Sequence, residues 1–348
     1  MAKRKLLDLD NDNNDDEEKD NQKQPSYTKR KKIKFEDLPP INSIQDLISI
    51  GKTSKFYKNI NMLMLWDIIP HLEELEKMIG MQSVKDSIFY QVIYYLQGMH
   101  LRNIDGDYLH CIITGQAGSG KTTLAQIISK IYQNIGILSR NCKFKLAHRE
   151  DFVGEYLGQT ATKTKKLLTS CLGGVIFVDE IYALSAGNKD KDSFAKEAID
   201  TINAFLSEHK NDFVFIGAGY KDQVQKCFLD MNQGLPRRFA WYHDIEKYTE
   251  KEIAQILIKM IDENSWELTV DIDYLKDVIK SNEEIFKNAG GSCENLFSKI
   301  KLTHSKRVFG LSDDFKFKIT KEDFENAIEM MKKYHSEKKV ERNYDYYT

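Results

Sequence analysis

The chain has 348 residues, 41% hydrophobic and 30% charged, with a formal net charge of −2. That length accommodates two compact domains plus tails, and the near-neutral balance gives no global drive toward nucleic acid or anionic membrane. Five cysteines, at 111, 142, 171, 227 and 293, form no C-x-x-C pair, and three lie in apolar runs, the pattern of buried thiols in a reducing compartment. No apolar run is long enough to span a bilayer, and the first residues lack the apolar core of a secretory signal, so a cytoplasmic protein is expected.

Residues 1–40 alternate a basic start (Lys3, Arg4, Lys5), an acidic block over 8–20 and a second basic block over 29–34. Too few apolar residues are present to support a fold, so a disordered charged tail is expected. The second basic block resembles a nuclear localisation signal. A solvated basic tail accounts for it equally well. Residues 41–78 read as an apolar, irregular segment, with a strongly hydrophobic run over 62–69 and a helical-looking run over 71–79. It is expected to pack on the core or on a neighbouring subunit, and nothing in it looks catalytic.

From 79 to 245 strands and helices alternate. An amphipathic helix over 84–99 precedes a short apolar strand over 108–114. Gly115, Gln116, Ala117, Gly118, Ser119, Gly120, Lys121 and Thr122 then match G-x-x-x-x-G-K-[ST] at every fixed position, with Thr123 opening a helix. The glycines let successive N–H groups converge on one anion, and the helix N-terminus adds partial positive charge. Lys121 is placed to reach the β- and γ-phosphates of ATP, and the Thr122 hydroxyl to ligate Mg²⁺. A chance glycine turn does not explain eight positions in a strand–loop–helix context.

A second strand is expected over 144–147, a helix over 160–172 with Thr160 as its N-cap, and apolar strands over 174–179, 213–218 and 240–245 around a helix over 193–209. Continuously apolar strands indicate a parallel sheet covered on both faces, hence a doubly wound α/β domain. Asp179 and Glu180 close the 174–179 strand, at the edge where such sheets bind ligands. There Asp179 can hold Mg²⁺ and Glu180 can activate water. Alone, the pair would read as a strand end; with a complete phosphate loop upstream, the catalytic reading prevails. Arg237 and Arg238 precede the last strand. Arginine suits charge on a transferring phosphoryl group, although surface exposure is its ordinary fate. Tyr156 and Leu157 sit between Gly154 and Gly158. A core-anchored loop and a mobile loop gripping a polymer remain equal readings of that pattern.

Residues 246–336 read as all-helical, with Thr249 and Glu252 forming a capping box and helices over 250–263, 272–288, 293–308 and 321–335. Residues 337–348 are charged and Tyr-rich, and a mobile tail is expected.

Taken together, residues 79–307 resemble the AAA+ ATPases, and within them the CbxX/CfxQ group that includes the red-type rubisco activases. The features are Ile79-Gly80-Met81 with Val84-Lys85, the segment 110–123, the run 149–164, the stretches 173–184 and 196–201, Ala218-Gly219-Tyr220, and 234–239. The resemblance implies a P-loop NTPase sheet followed by a small helical lid. It also implies a ring, usually of six subunits, that binds ATP between neighbours and works on a protein. It makes Arg238 an arginine finger acting in trans, and Tyr156 and Leu157 the pore-loop residues. Two departures stand out. Tyr220 occupies the place where many AAA+ proteins carry a polar water-positioning residue. The lid segment Gly290-Gly291-Ser292-Cys293-Glu294 lacks the expected arginine, which leaves Arg307 or Lys299 as substitutes. A nucleotide-gated scaffold with little turnover and a nucleic-acid motor or loader are the alternative functions.

Overall fold

The computed structural model describes residues 34–102, 106–139, 141–156, 158–185 and 193–344, with side chains as far as 333. Of the expected disordered tail over 1–40, residues 1–33, with nearly all of the basic block, lie outside the described residues; Phe35–Glu36 pairs in parallel with Phe56–Tyr57, so the boundary at 40 is set too late. Five parallel strands form the central sheet: β1 (His110–Thr114), β2 (Phe144–Ala147), β3 (Val175–Val178), β4 (Val214–Gly219) and β5 (Phe239–Asp244). Their spatial order is β2-β3-β4-β1-β5. Register places Ile112 between Gly217 and Tyr242, and Val178 beside Gly217.

Every residue of β1, β3 and β4 is buried, which explains their nearly continuous apolar sequences, broken only by His110 and Thr114 at the ends of β1. Successive residues serve opposite faces. Cys111, Ile113, Val175, Phe177, Val214 and Ile216 belong to one core, while Ile112, Ile176, Val178 and Phe215 belong to the other. The second core is closed by α5 (Arg149–Phe152), α6 (Thr160–Thr169), α7 (Ser193–Glu208) and α8 (Lys221–Cys227), through Phe152, Leu168, Ile199, Ile202, Leu206 and Val224.

The first core is completed by the segment read from sequence as irregular. It is two capped helices, α1 (Ile44–Gly51) and α2 (Met62–Glu76), followed by α3 (Gln82–Leu96). Ser43 and Asn61 accept from Asp46 N and Met64 N at 3.2 and 3.1 Å. Pro70 stands inside α2, so the runs over 62–69 and 71–79 fuse across a residue that disfavours helix by about 3 kcal/mol. Leu65, Ile68, Leu72 and Leu75, all fully buried on one stripe, outweigh it.

Beyond the sheet, α9 (Glu250–Glu263), α10 (Ile272–Lys280), α11 (Ala289–Val308) and α12 (Lys321–Tyr344) pack around a third core that includes Leu257, Leu296 and Phe324. The Thr249–Glu252 capping box forms as expected: Glu252 N donates to Thr249 Oγ1 at 3.3 Å and Thr249 N to Glu252 Oε2 at 2.8 Å. The single helix expected over 272–288 stops at Lys280, where Asn282 Nδ2 takes the carbonyl of Val278 at 2.7 Å and tight turns follow. α12 runs to Tyr344, past the boundary set at 336. A two-residue parallel pairing of Glu267–Leu268 with Lys318–Ile319 interrupts the all-helical pattern. Among the described residues no helix is long and apolar enough to cross a membrane, and the five cysteines are free thiols, with Cys111, Cys171 and Cys293 buried.

Candidate nucleotide site

The carboxyl edge of the sheet carries the chemistry. β1 ends at Thr114, and the loop 115–120 leads into α4 (Lys121–Ile135). The loop is folded by its own backbone. Gly115 N donates to Gly219 O at 3.2 Å, Ser119 N to Gln116 O at 3.3 Å, and Leu124 N to Gly120 O at 2.9 Å. Gly118 and Gly120 take φ of +68° and +89°, a region that side-chain-bearing residues rarely adopt. A Cβ on Gly118 would stand 2.5 Å from Asn288 O, so only glycine lets the lid approach the loop.

Lys121 Nζ donates to the carbonyls of Gln116 and Gly115 at 2.8 and 3.2 Å, folded back over the loop. Burial lowers its pKa from the ordinary value, opposed by the charges of Asp179 and Glu180. Thr122 and Thr123 are exposed, and the buried Ser119 Oγ has no partner among the described residues. Thr114 Oγ1 and Lys221 Nζ both donate to Asp244, at 2.6 Å each. Burial raises the Asp244 pKa, but these two donors outweigh it and hold it below the usual value.

Asp179 and Glu180 follow β3 and share a cleft of about 370 Å³ with Gly118, Lys121 and Thr122. Thus the two motifs, about sixty residues apart in sequence, meet. Glu180 has φ of +49°, unusual for any residue but glycine, and its N–H donates to Asp179 Oδ1 at 2.9 Å. The same cleft is lined by Tyr182 and Tyr220, and from the lid by Gly290, Gly291 and Glu294. The lid joins the loop through main-chain atoms: Gly290 N donates to Gly118 O at 3.2 Å. Tyr248 adds a side-chain tie, its hydroxyl donating to Ser119 O at 2.9 Å.

Sequence reading missed Tyr182 as a cleft residue and Tyr248 as the tie between lid and loop. Tyr182 enters by the tight turn after Glu180, and Tyr248 by tertiary approach. Arg307 does not substitute for the absent lid arginine. It lies near the far end of α11, where Nε and Nη2 donate to Asp323 at 2.8 and 2.9 Å. Lys299 does not line the cleft either. Among the described residues lining it, Lys121 is the single cation.

Arg238 is half-buried, with Nε donating to Ser207 Oγ at 2.9 Å and Nη1 to Gly234 O at 2.8 Å, whereas Arg237 is exposed. Tyr156 is 67% exposed. Leu157 lies outside the described residues. The base of the Tyr156 loop is pinned: Gly154 N donates to Thr160 Oγ1 at 3.0 Å and Thr164 Oγ1 to Phe152 O at 3.0 Å. Thr160 is thus the first residue of α6 and ties the loop rather than capping the helix, whose N-cap is Gln159. Arg149, on the same loop segment, donates to the carbonyls of Ala183 and Leu184 in the turn after Glu180.

A parallel sheet with a phosphate-type loop on one strand, paired carboxylates on its second neighbour and a helical lid defines a P-loop nucleotide-binding ATPase. Residues 111–234 match the model of the ATPase family associated with various cellular activities (AAA). A putative cfxQ-like protein of Acanthamoeba polyphaga mimivirus is 36% identical over 282 residues, 79% of this chain and 68% of its own. A CfxQ homologue of Pyropia yezoensis is 31% identical over 274 residues, 76% of this chain and 89% of its own. Among solved structures, the FIGL-1 AAA domain in complex with ADP shares the fold at a TM-score of 0.53 and 15% identity, covering 73% of this chain and 83% of that one. The chain belongs to the AAA+ ATPases of the CbxX/CfxQ group.

Proposed function

We propose that this protein is a ring-forming, Mg²⁺-dependent ATPase that couples hydrolysis to movement of the Tyr156 loop on a protein substrate. The observation that carries the reading is the single cleft in which Lys121, Thr122, Asp179 and Glu180 converge. The residues fit a magnesium–nucleotide complex. Oxygen donors from Thr122 and Asp179 suit a hard cation. Among the described residues no three His, Cys, Asp or Glu side chains could hold a metal together, so a cation here would draw on nucleotide oxygens as well. Bound Mg²⁺ would neutralise charge on the phosphates. The loop N–H groups and Lys121 bind and orient the triphosphate. Glu180 accepts a proton from the attacking water.

A hexameric ring supplies the remaining part: Arg238 of each subunit acts as the finger in its neighbour's site. That role requires the guanidinium to leave Ser207 and Gly234, while Arg237 is already exposed. Arg238→Ala is expected to lose roughly 10³-fold or more in turnover, as for other arginine fingers. ATPase assays of Arg238→Ala mixed with Lys121→Ala protein test the assignment. Restored activity in the mixture supports trans action; normal hydrolysis by Arg238→Ala alone overturns it. Tyr156→Ala should retain hydrolysis and lose mechanical work. The substrate would be identified by capture on Glu180→Gln protein held in ATP.

A second reading, a nucleotide-gated scaffold with low turnover, is favoured by the lid. Its cleft wall carries Glu294 and no arginine. Steady-state ATPase measured on a size-resolved oligomer separates the two.

A further inference from the structure

The Tyr156 loop is carried by a small rigid body. α5 is one turn long, and carbonyls in it and just after it are taken by side chains of α6. Lys163 Nζ donates to Glu150 O at 2.7 Å and to Val153 O at 2.9 Å, and Thr164 Oγ1 donates to Phe152 O at 3.0 Å. His148 N donates to Asp151 Oδ2 at 2.8 Å and fixes the other end of the turn. Phe152 is fully buried. α5 and the start of α6 therefore move together, with the loop 154–159 between them. The 3₁₀ turn Ile181–Ser185 belongs instead to the nucleotide side. Ala183 N donates to Glu180 O at 2.7 Å, and Ile181 and Leu184 are fully buried, so this turn follows the backbone of Glu180.

A cleft of about 700 Å³ opens between the two bodies, with Glu150, Glu155 and Lys163 on one side and Asp179, Glu180 and Ala183 on the other. Arg149 bridges it. From the first residue of α5, its Nη1 donates to Ala183 O at 3.0 Å and to Leu184 O. These carbonyls lie near the end of a short turn, where no further turn supplies N–H donors, and a charged donor strengthens both bonds. The bodies also share the second core, through Phe152, Ile181 and Leu184. Apolar contact is non-directional and sets distance more than orientation, whereas two directed bonds set both. We propose that Arg149 is a coupling strut: it transmits displacement of the turn after Glu180, when triphosphate is exchanged for diphosphate, to the Tyr156 loop. This rests on the reading of that loop as the moving element. It gives the coupling to a half-buried side chain that is not among the residues lining the nucleotide cleft.

The test measures amide hydrogen exchange over residues 153–160 in the full-length protein, held with Mg²⁺ and either ADP or a non-hydrolysable ATP analogue. Without substitution, exchange there is expected to differ roughly tenfold between the two nucleotides, the scale of one charge-assisted bond. Arg149→Met keeps an unbranched apolar stem and removes every donor. It is expected to bring that ratio close to one, while a fluorescent-labelled ADP, followed by anisotropy, binds within about twofold of normal. Arg149→Lys should restore part of the ratio, because an ammonium still donates to a carbonyl but cannot reproduce the guanidinium geometry. A merely structural role would speed exchange equally with both nucleotides and leave the ratio intact. That result, or unchanged exchange in Arg149→Met, overturns the proposal alone. A ratio near one in the unsubstituted protein would instead refute the moving-loop reading, and the strut with it.

Discussion

The two walls of the cleft are built on opposite principles. The sheet wall presents a helix N-terminus, glycines at positive φ and a half-buried lysine, all converging on an anion. The lid wall presents two glycines and a carboxylate, Glu294, and the lid touches the loop through the main chain and the Tyr248 hydroxyl. One wall is suited to a triphosphate; the other carries no cation among its described lining residues. The charge complementary to phosphate is therefore one-sided, and the lid meets the loop through uncharged groups.

Removing the acid beside the sheet wall breaks this comparison most severely. Glu180→Gln is expected to cut kcat by roughly 10²- to 10⁴-fold while retaining nucleotide, as measured by single-turnover hydrolysis. Next comes a change confined to the lid. Asp323 is 1% exposed and is held by Arg307, His304 and Thr320. Asp323→Asn is expected to destabilise the lid by about 3–5 kcal/mol, read by thermal melting, with the sheet wall retaining its fold. Burial alone would raise the Asp323 pKa, but these partners hold it at about 2. Its contribution is present above the unfolded value of about 3.9 and is lost as pH falls toward 2. The acid-induced loss of melting temperature in that window should be blunted in the variant.

Lys121→Ala should weaken ATP binding by roughly 10- to 100-fold, the scale of a charge-assisted contact, in fluorescence titrations. The smallest effect sharpens the comparison. Glu294→Arg gives the lid a cation and should tighten triphosphate binding about two- to fivefold, diminishing with added salt, because the position is exposed. Unchanged affinity would mean that the lid wall does not sense the phosphates.

Much of this is legible in the sequence. Gly115 to Thr122 and the run ending in Asp179 and Glu180 declare themselves because phosphate binding and a fully buried strand each impose local sequence rules. The Thr249–Glu252 box is readable for the same reason. What stayed hidden depends on distant neighbours. Pro70 disfavours a continuous α2, and burial of Leu65, Ile68, Leu72 and Leu75 overrides it. Arg307 could serve as a lid arginine on sequence spacing alone; its capture by Asp323 requires the packing of α11 on α12. Tyr182 and Tyr248 carry no motif: a tight turn brings the first into the cleft, and packing of the lid brings the second onto Ser119.

The two bonds joining lid to loop, Tyr248 Oη to Ser119 O and Gly290 N to Gly118 O, attach at residues one apart. Anchors so closely spaced define a short axle. A swing about it preserves both bonds, while a slide or a lift breaks them. A lid motion that keeps both bonds is thereby channelled into one angle, and the length of the lid beyond the axle sets how far a small turn is magnified at its outer end.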